Sequence, residues 1–433
     1  MRYLSITGLL GVLLAGITLA ACDNEIPNPN ASTLAEASQD QDGLIAMANG
    51  LSVGYAAVLE RVLLTPGTTA RELEITNTFV NLLELGEGGE ALTDNNGNII
   101  SLWGRAYRVI GAADVIIENA PTAIQDASIL SGVLGAAHFY KAATLSYLIE
   151  SFESVPINTS ADGAAEFRSR AEVLAEAIRL LSEASTLLGA SPPSTSVVSS
   201  LGNDFDLPNM INAYRARVNL QAGNFAEALN AANQVDLTSV SYFTFNSENQ
   251  NPVYLNASLE TDLNYSPIDN FGIEGVNPAD GRLEFYLEPL DSIGRFGYNF
   301  SLLKGFYDEL DKNIPVYLPG EIILIKAEAL ARQDQINEAI AELNKVLTKT
   351  NDPTGVNAAL PAYSGPATQE AVLNEILKNR NIELFLTGLR LGDSKRFGQP
   401  GPPATDVFRN RNFYPYPDTE RANNPNVPEN PAI

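Results

Sequence analysis

The sequence predicts a mainly α fold: a scaffold of helix hairpins interrupted by an irregular, loop-rich insertion. Three observations lead there. Apolar residues recur three and four apart over long stretches, as one buried helix face requires. Two of these stretches share a helix–turn–helix pattern. Between them, Val240 to Leu318 is rich in Asn, Pro, Gly and aromatic residues and has no long helical period.

The helical period runs through Leu34 to Leu63, Arg71 to Leu85, Ile100 to Asn119, Ala127 to Phe152 and Ser169 to Leu188. It returns in Asn209 to Ala222, Phe225 to Gln234, Glu321 to Arg332, Ile336 to Leu347 and Gln369 to Leu386. The stretch Tyr214 to Leu229 is matched by Ile325 to Ile340: Phe225 falls on Ile336, Glu227 on Glu338 and Ala228 on Ala339. Small alanines let paired helices approach closely, and the large apolar residue after the turn plugs the gap between them. The pattern resembles the tetratricopeptide repeat, although the copies are too far apart to form a contiguous array. Ala127 to Phe152 with Ser169 to Leu188 could form a third pair. The insertion, residues 240–318, reads as loops, short strands and at most one helix, and Phe397 to Ile433 is again irregular and rich in Pro, Asn and Arg.

The N-terminus carries a different signal. Arg2 precedes an apolar run, Leu4 to Ala20, which ends in Leu19-Ala20-Ala21-Cys22. This is the layout of a secretory signal peptide and is short for a membrane span. Its ending resembles the bacterial lipobox, which implies cleavage before Cys22, lipidation of its thiol and acylation of its new amino group. Cys22 is the one cysteine of the chain. The expected organisation is a signal peptide over residues 1–21 and a flexible, proline-containing tether over 22–33. The body covers 34–433, with helical scaffold at 34–239 and 319–396.

Composition narrows the chemistry. The chain has 27 basic and 52 acidic side chains and a net charge of −25, with no basic patch, so nucleic acid is not an expected partner. One Cys and one His, His138, speak against a cysteine- or histidine-based metal site. His138 lies in an apolar helical stretch and reads as a core histidine. Glu87 to Glu90 is glycine-rich but acidic and lacks lysine, so it is a poor phosphate loop. Asp94 to Asn98 lacks the calcium-loop spacing and reads as a tight turn. A Ser-His-Asp triad would depend on His138, and no local pattern singles out a carboxylate pair for glycoside cleavage. The expectation is no metal, no cofactor and no catalytic residue.

Several motifs, in order along the chain, are similar to those of the SusD/RagB family of outer-membrane nutrient-binding lipoproteins. After the lipobox comes Leu102 to Ala113, with Trp103 and Tyr107; it resembles a Trp-x-x-x-Tyr helix, but Asp114 stands where Asn is usual. Glu153-Ser154-Val155-Pro156 follows, where the family often has Gly-Asp-Val-Pro. Leu377 to Gly398 resembles an Arg/Glu/Asp signature whose structural residues are Glu383, Arg390, Asp393 and Arg396; Asn379 and Thr387 replace two acidic residues. Phe413 to Glu420 with Asn423 to Asn426 resembles the family's Pro/Asn ending. The resemblance implies a SusD-like fold and a ligand that is an oligosaccharide or a peptide. It also implies hand-over to a SusC-like TonB-dependent transporter and attachment to the outer membrane through Cys22.

Aromatic faces stack on sugar rings, and Asn and Asp side chains pair with hydroxyls. Trp103, Tyr242, Tyr254, Tyr265 and Phe271 are therefore the candidate ligand-binding residues, although Trp103 and Tyr107, four apart on one helix face, also fit core packing. Glu383 and Arg390, seven apart, are expected on one helix face, in ion pairs that lock the last helix onto the body. Two other readings stay open: a surface glycoside hydrolase with paired carboxylates, and a tetratricopeptide-type scaffold that binds protein.

Overall fold

A computed structural model describes residues 34–202, 205–259, 263–293, 299–404 and 408–433. Cys22, the apolar run before it and the tether lie outside the described residues. The scaffold opens with a single turn, α1 (Leu34–Ala37), and a long helix, α2 (Gln41–Thr69). A short strand β1 (Leu73–Ile75), α3 (Val80–Glu87), α4 (Gly97–Ala123) and α5 (Ala127–Ser151) follow. Two short strands, β2 (Ser154–Pro156) and β3 (Phe167–Ser169), lead to α6 (Arg170–Ala190), α7 (Thr195–Leu201), α8 (Leu207–Ala222) and α9 (Phe225–Ala232).

The irregular region then holds β4 (Tyr242–Phe243), α10 (Tyr254–Ala257), β5 (Tyr265–Pro267) and α11 (Gly281–Tyr286). It continues through β6 (Leu287–Ile293), β7 (Asn299–Leu303) and β8 (Ile314–Pro315). Its described residues thus contain two short α-helices where the sequence suggested one. The chain ends with α12 (Pro319–Arg332), α13 (Ile336–Leu347), α14 (Gln369–Glu383), α15 (Arg390–Arg396) and α16 (Asp418–Asn423).

The two repeat copies fold alike. Gly223 adopts φ 80° after α8, and at the matched position after α12 Asp334 adopts φ 62°. In both turns the next residue's N–H returns to the helix: Asn224 donates to Asn219 O and Gln335 to Leu330 O. The paired Ala228 and Ala339 are both fully buried, so the hairpins close tightly. A third hairpin, α5 with α6, packs alongside, and α6 starts in a capping box of Ser169 and Glu172. The fold is mainly α, with a tetratricopeptide-like hairpin scaffold and a loop-rich insertion.

Two helical expectations change. Arg71 to Leu85 is not one helix. Leu73-Glu74-Ile75 is buried on both faces and pairs antiparallel with β5, Ile75 opposite Tyr265. Burial of both faces suits a strand, and the period of three and four survives only in α3. Leu34 to Leu63 is broken at Ser38–Asp40, because the Asp40 side chain caps a new helix at Gly43 N–H.

The family-like motifs meet in space. Trp103 Nε1 donates to Glu420 at 3.0 Å, Tyr416 hydroxyl contacts Ser154 Oγ at 2.7 Å, and Tyr107 hydroxyl donates to Pro156 O at 2.8 Å. Asp114 accepts from Lys141, an amine that also reaches Asn158. The substituted carboxylate therefore forms a half-buried ion pair.

α5 is the central helix, buried on all faces from Ser131 to Ser151. His138 sits in it, 4% exposed. Its Nδ1 has no hydrogen-bond partner, so burial is not compensated at that atom. Burial pushes the imidazole down to about 4. A base whose folded value is depressed supports the fold above its unfolded value near 6.5 and withdraws that support as pH falls toward 4. Because the chain has one histidine, its ring signals are unambiguous in an NMR titration. The ring should stay neutral from pH 8 to about 5.5; titration with a midpoint near 6.5 would contradict this placement.

Candidate functional site

The site grows out of the C-terminal signature. α14 stops at Glu383, because Leu386 (φ 55°) and Gly388 (φ 78°) turn left-handed before α15 begins at Arg390. A Cβ on Gly388 would lie 2.6 Å from Val62 O, so the turn can approach α2 only as glycine. Glu383 and Arg390 therefore sit on different helices, not on one face as their spacing suggested. A seven-residue spacing places two residues on one face only if the helix continues between them.

Each signature residue has its own partners. Glu383, fully buried, receives Arg282 at 3.2 Å and the Lys349 ammonium. Arg282 also grips Asp280 at 2.7 Å and Asn379 at 2.9 Å, so the Asn that replaces an acidic residue still serves as an acceptor. Asp393 takes Arg380 and Arg396, both at 2.7 Å, and Arg396 continues to Glu328 at 2.8 Å. Burial alone would push the Asp393 carboxyl up, but the two guanidiniums more than offset it and hold it below its usual range. Arg390 makes no ion pair among the described residues. Its guanidinium donates instead to Phe271 O and, at 3.2 Å, to Gly272 O.

Those two carbonyls belong to an uncommon piece of backbone. Asn270, Phe271 and Gly272 are all left-handed, with φ of 52°, 59° and 63°. Successive left-handed residues cost energy and persist only where surroundings impose them. Arg390 does so from below. Across the turn Arg71 is also left-handed (φ 63°), and a Cβ on Gly272 would stand 2.1 Å from its carbonyl. Glu72 lies beneath: Oε1 accepts from Leu386 N–H at 2.8 Å, and Oε2 has no partner.

The turn forms one wall of a groove of about 820 Å³. Arg71 with residues 268–270 and 272–274 lines one side, Asn374, Leu377, Lys378 and Asn381 of α14 another, and Gln399 and Phe408 complete it. Phe408 is 38% exposed. Asn381 is buried, yet its Oδ1 has no partner, and neither has the buried Nε of Arg71. Unpartnered buried polar atoms beside an open groove are ready acceptors and donors for a hydroxyl-bearing ligand. A second, more open cleft of about 590 Å³ holds Phe285 between Gly305 and Gly355, with Lys304, Asp308 and Asn357 on its rim.

The aromatic candidates do not converge on the groove. Trp103 is packed among Tyr107, Phe152 and Phe167, with ring centroids at 4.7, 4.9 and 5.8 Å. Tyr265 is buried in the β1–β5 ribbon, where burial raises its hydroxyl to about 12. Phe271 is fully buried, edge-on to Phe385 at 4.9 Å. These three have no free ring face for a sugar, because each fills core space at an element junction. Tyr242 and Tyr254 are half-buried and line neither concavity. Sequence reading missed Arg71, Asn381 and Phe408. The one available hint was the Asn270-Phe271-Gly272 triplet, a combination suited to left-handed turns.

Burial pushes the Glu72 carboxyl up to about 7, against the lowering pull of Arg390 and of the Leu386 N–H. An acid with a raised folded value binds its proton more tightly in the fold. That contribution is complete below the unfolded value of 4.5 and is lost as pH rises through 7. Glu72→Gln keeps an acceptor for Leu386 and removes the titration. Relative to the parent chain, it should gain stability as pH rises from 4.5 to 8, by up to roughly 3 kcal/mol in denaturant unfolding. A difference that stays flat with pH would show that Glu72 ionises like a surface carboxylate.

Residues 307–401, which hold α12 to α15, match the model of the SusD family. No curated protein is similar in sequence. Among solved structures, a SusD superfamily protein from Bacteroides thetaiotaomicron is 18% identical. It covers 90% of this chain and 100% of its own, at a TM-score of 0.70. A SusD-like carbohydrate binding protein from Bacteroides vulgatus is 16% identical, covers 90% and 97%, and has a TM-score of 0.69. A SusD superfamily protein from Parabacteroides distasonis is also 16% identical, covering 90% and 99%, with a TM-score of 0.70. Residues 307–401 thus match the SusD family by sequence, and the body as a whole has the fold of SusD-like proteins.

Proposed function

We propose that this chain is a lipid-anchored outer-membrane protein that captures an oligosaccharide and passes it to a SusC-like TonB-dependent transporter. The groove beside the 270–272 turn carries the binding part of this reading. It pairs an exposed ring, Phe408, with the amides of Asn270, Asn374, Asn381 and Gln399 and the guanidinium of Arg71. Rings and amides in one concavity suit the apolar face and the hydroxyls of a sugar. A peptide is the other ligand that family resemblance allows; the carbohydrate-binding relative favours the sugar. Binding is reversible, and no bond is broken.

Isothermal titration of the purified body against a glycan panel tests the binding. Asn381→Ala and Phe408→Ala should each weaken the best ligand about tenfold. A panel without any binder, or turnover of a glycan that is lost on changing one carboxylate, would overturn the reading.

The anchor is proposed at Cys22. A single acyl chain holds a protein only marginally at a membrane, whereas several hold it stably. Cys22→Ala should shift the protein from the membrane to the soluble fraction with its thermal melt unchanged. Retention in the membrane fraction would remove Cys22 from that role.

A further inference from the structure

We propose that the oligosaccharide held in the 270–272 groove is an acidic one, its carboxylate or sulfate group meeting Arg71 and Lys378. This rests on the reading that the groove binds a glycan and specifies what kind.

The chain as a whole repels anions, since acidic side chains outnumber basic ones 52 to 27. Some surface cations are neutralised by carboxylate partners, as Arg168, Arg179, Lys312 and Lys345 are. Others, such as Arg108 and Arg421, have no ion-pair partner among the described residues. The groove gathers such cations in one concavity. Arg71, Lys378 and Arg390 line it, and among the described residues none of the three has an ion-pair partner. Arg390 is occupied by the carbonyls of Phe271 and Gly272. Arg71 and Lys378 are not. The buried Nε of Arg71 has no hydrogen-bond partner at all.

Two carboxylates share the lining, Asp269 and Glu274. Asp269 is already engaged, accepting from Asn299 N–H at 3.3 Å and Nδ2 at 2.6 Å. Glu274 is exposed to water in the turn that follows Ile273, where its charge is screened. An unpaired guanidinium and an unpaired ammonium in one concavity form a receptor for an oxyanion. Arg supplies a planar fork that fits carboxylate and sulfate alike, and Lys adds a point charge. The unpartnered Oδ1 of Asn381 accepts no anion and suits a neighbouring hydroxyl. Groove chemistry therefore fits a sugar carrying both hydroxyl and acid groups. In a body of this net charge, such a ligand needs a local attraction to approach at all.

The experiment compares four probes by titration calorimetry on the purified body: oligogalacturonate, its methyl ester, κ-carrageenan oligosaccharide and neutral agaro-oligosaccharide. At low salt, oligogalacturonate or carrageenan oligosaccharide should bind at least about tenfold more tightly than its neutral counterpart. The gap should narrow in roughly 0.5 M salt. Which of the two acids shows the preference identifies the oxyanion. Lys378→Gln and Arg71→Asn (a residue that tolerates the left-handed backbone) should each cut the acid-to-neutral ratio by about fivefold or more. Lys345→Gln, on an exposed face outside the groove, should leave it unchanged.

Neutral probes that bind as tightly as acidic ones, or a preference indifferent to both groove variants, would overturn the inference while the glycan-binding reading stands. Silence on all four with binding elsewhere on a neutral panel overturns it in the same way. Silence on every glycan removes both readings.

Discussion

Buried charge at the end of α14 organises this molecule. Glu383 has no contact with water, and an isolated carboxylate in that position would be untenable. It is made tolerable by Arg282 from α11 and Lys349 from the loop after α13, two segments far apart in sequence. The backbone of α12 also crowds it: a Cβ on Gly320 would lie 1.8 Å from the Glu383 carboxylate. One side chain thus fixes where four segments stand relative to one another. A parallel cluster of Glu328, Arg380, Asp393 and Arg396 ties α12, α14 and α15 together a few residues on. Such networks specify arrangement more than they add net stability, but breaking one partner leaves the others buried and unpaired, which costs about 3–5 kcal/mol.

The groove follows from the same region. Because the chain must leave α14 at Glu383, it turns left-handed at Leu386 and Gly388 and re-enters as α15 in a new direction. That direction points Arg390 at the carbonyls of the 270–272 turn. A guanidinium with two carbonyl acceptors holds three consecutive left-handed residues in place. Glu72 completes the support by pinning Leu386 N–H. The strained wall is therefore held from behind by groups that do not line the concavity directly, apart from Arg390 itself. Rigid support of this kind keeps the concavity open.

The hairpin scaffold was legible in the sequence because its signals are local. Phe225 and Ile336, with the alanines three residues on, mark the same turn in both copies, and the helical period carries the rest. Readings that depend on distant partners went differently. Leu73-Glu74-Ile75 looks helical until β5, far downstream, covers it. The Glu383–Arg390 spacing looks like one helix face until Tyr307 and Glu72 hold the intervening loop open at Leu386. The aromatics singled out by type fared unevenly for the same reason. Ring content does not distinguish Phe271, wedged against Phe385, from Phe408, which lines the groove and is partly exposed. Exposure is decided by packing, and the packing partner that buries Phe271, Phe385, is distant in sequence.

The tail closes against elements that leave the ribosome long before it. Tyr414 bonds Thr69, and Leu386 bonds Glu72. Tyr416 and Glu420 close over Ser154 and Trp103. The segment from Tyr414 on must therefore be in place before the first helices acquire their lasting neighbours. It thus acts as a latch that spans Thr69, Trp103 and Ser154.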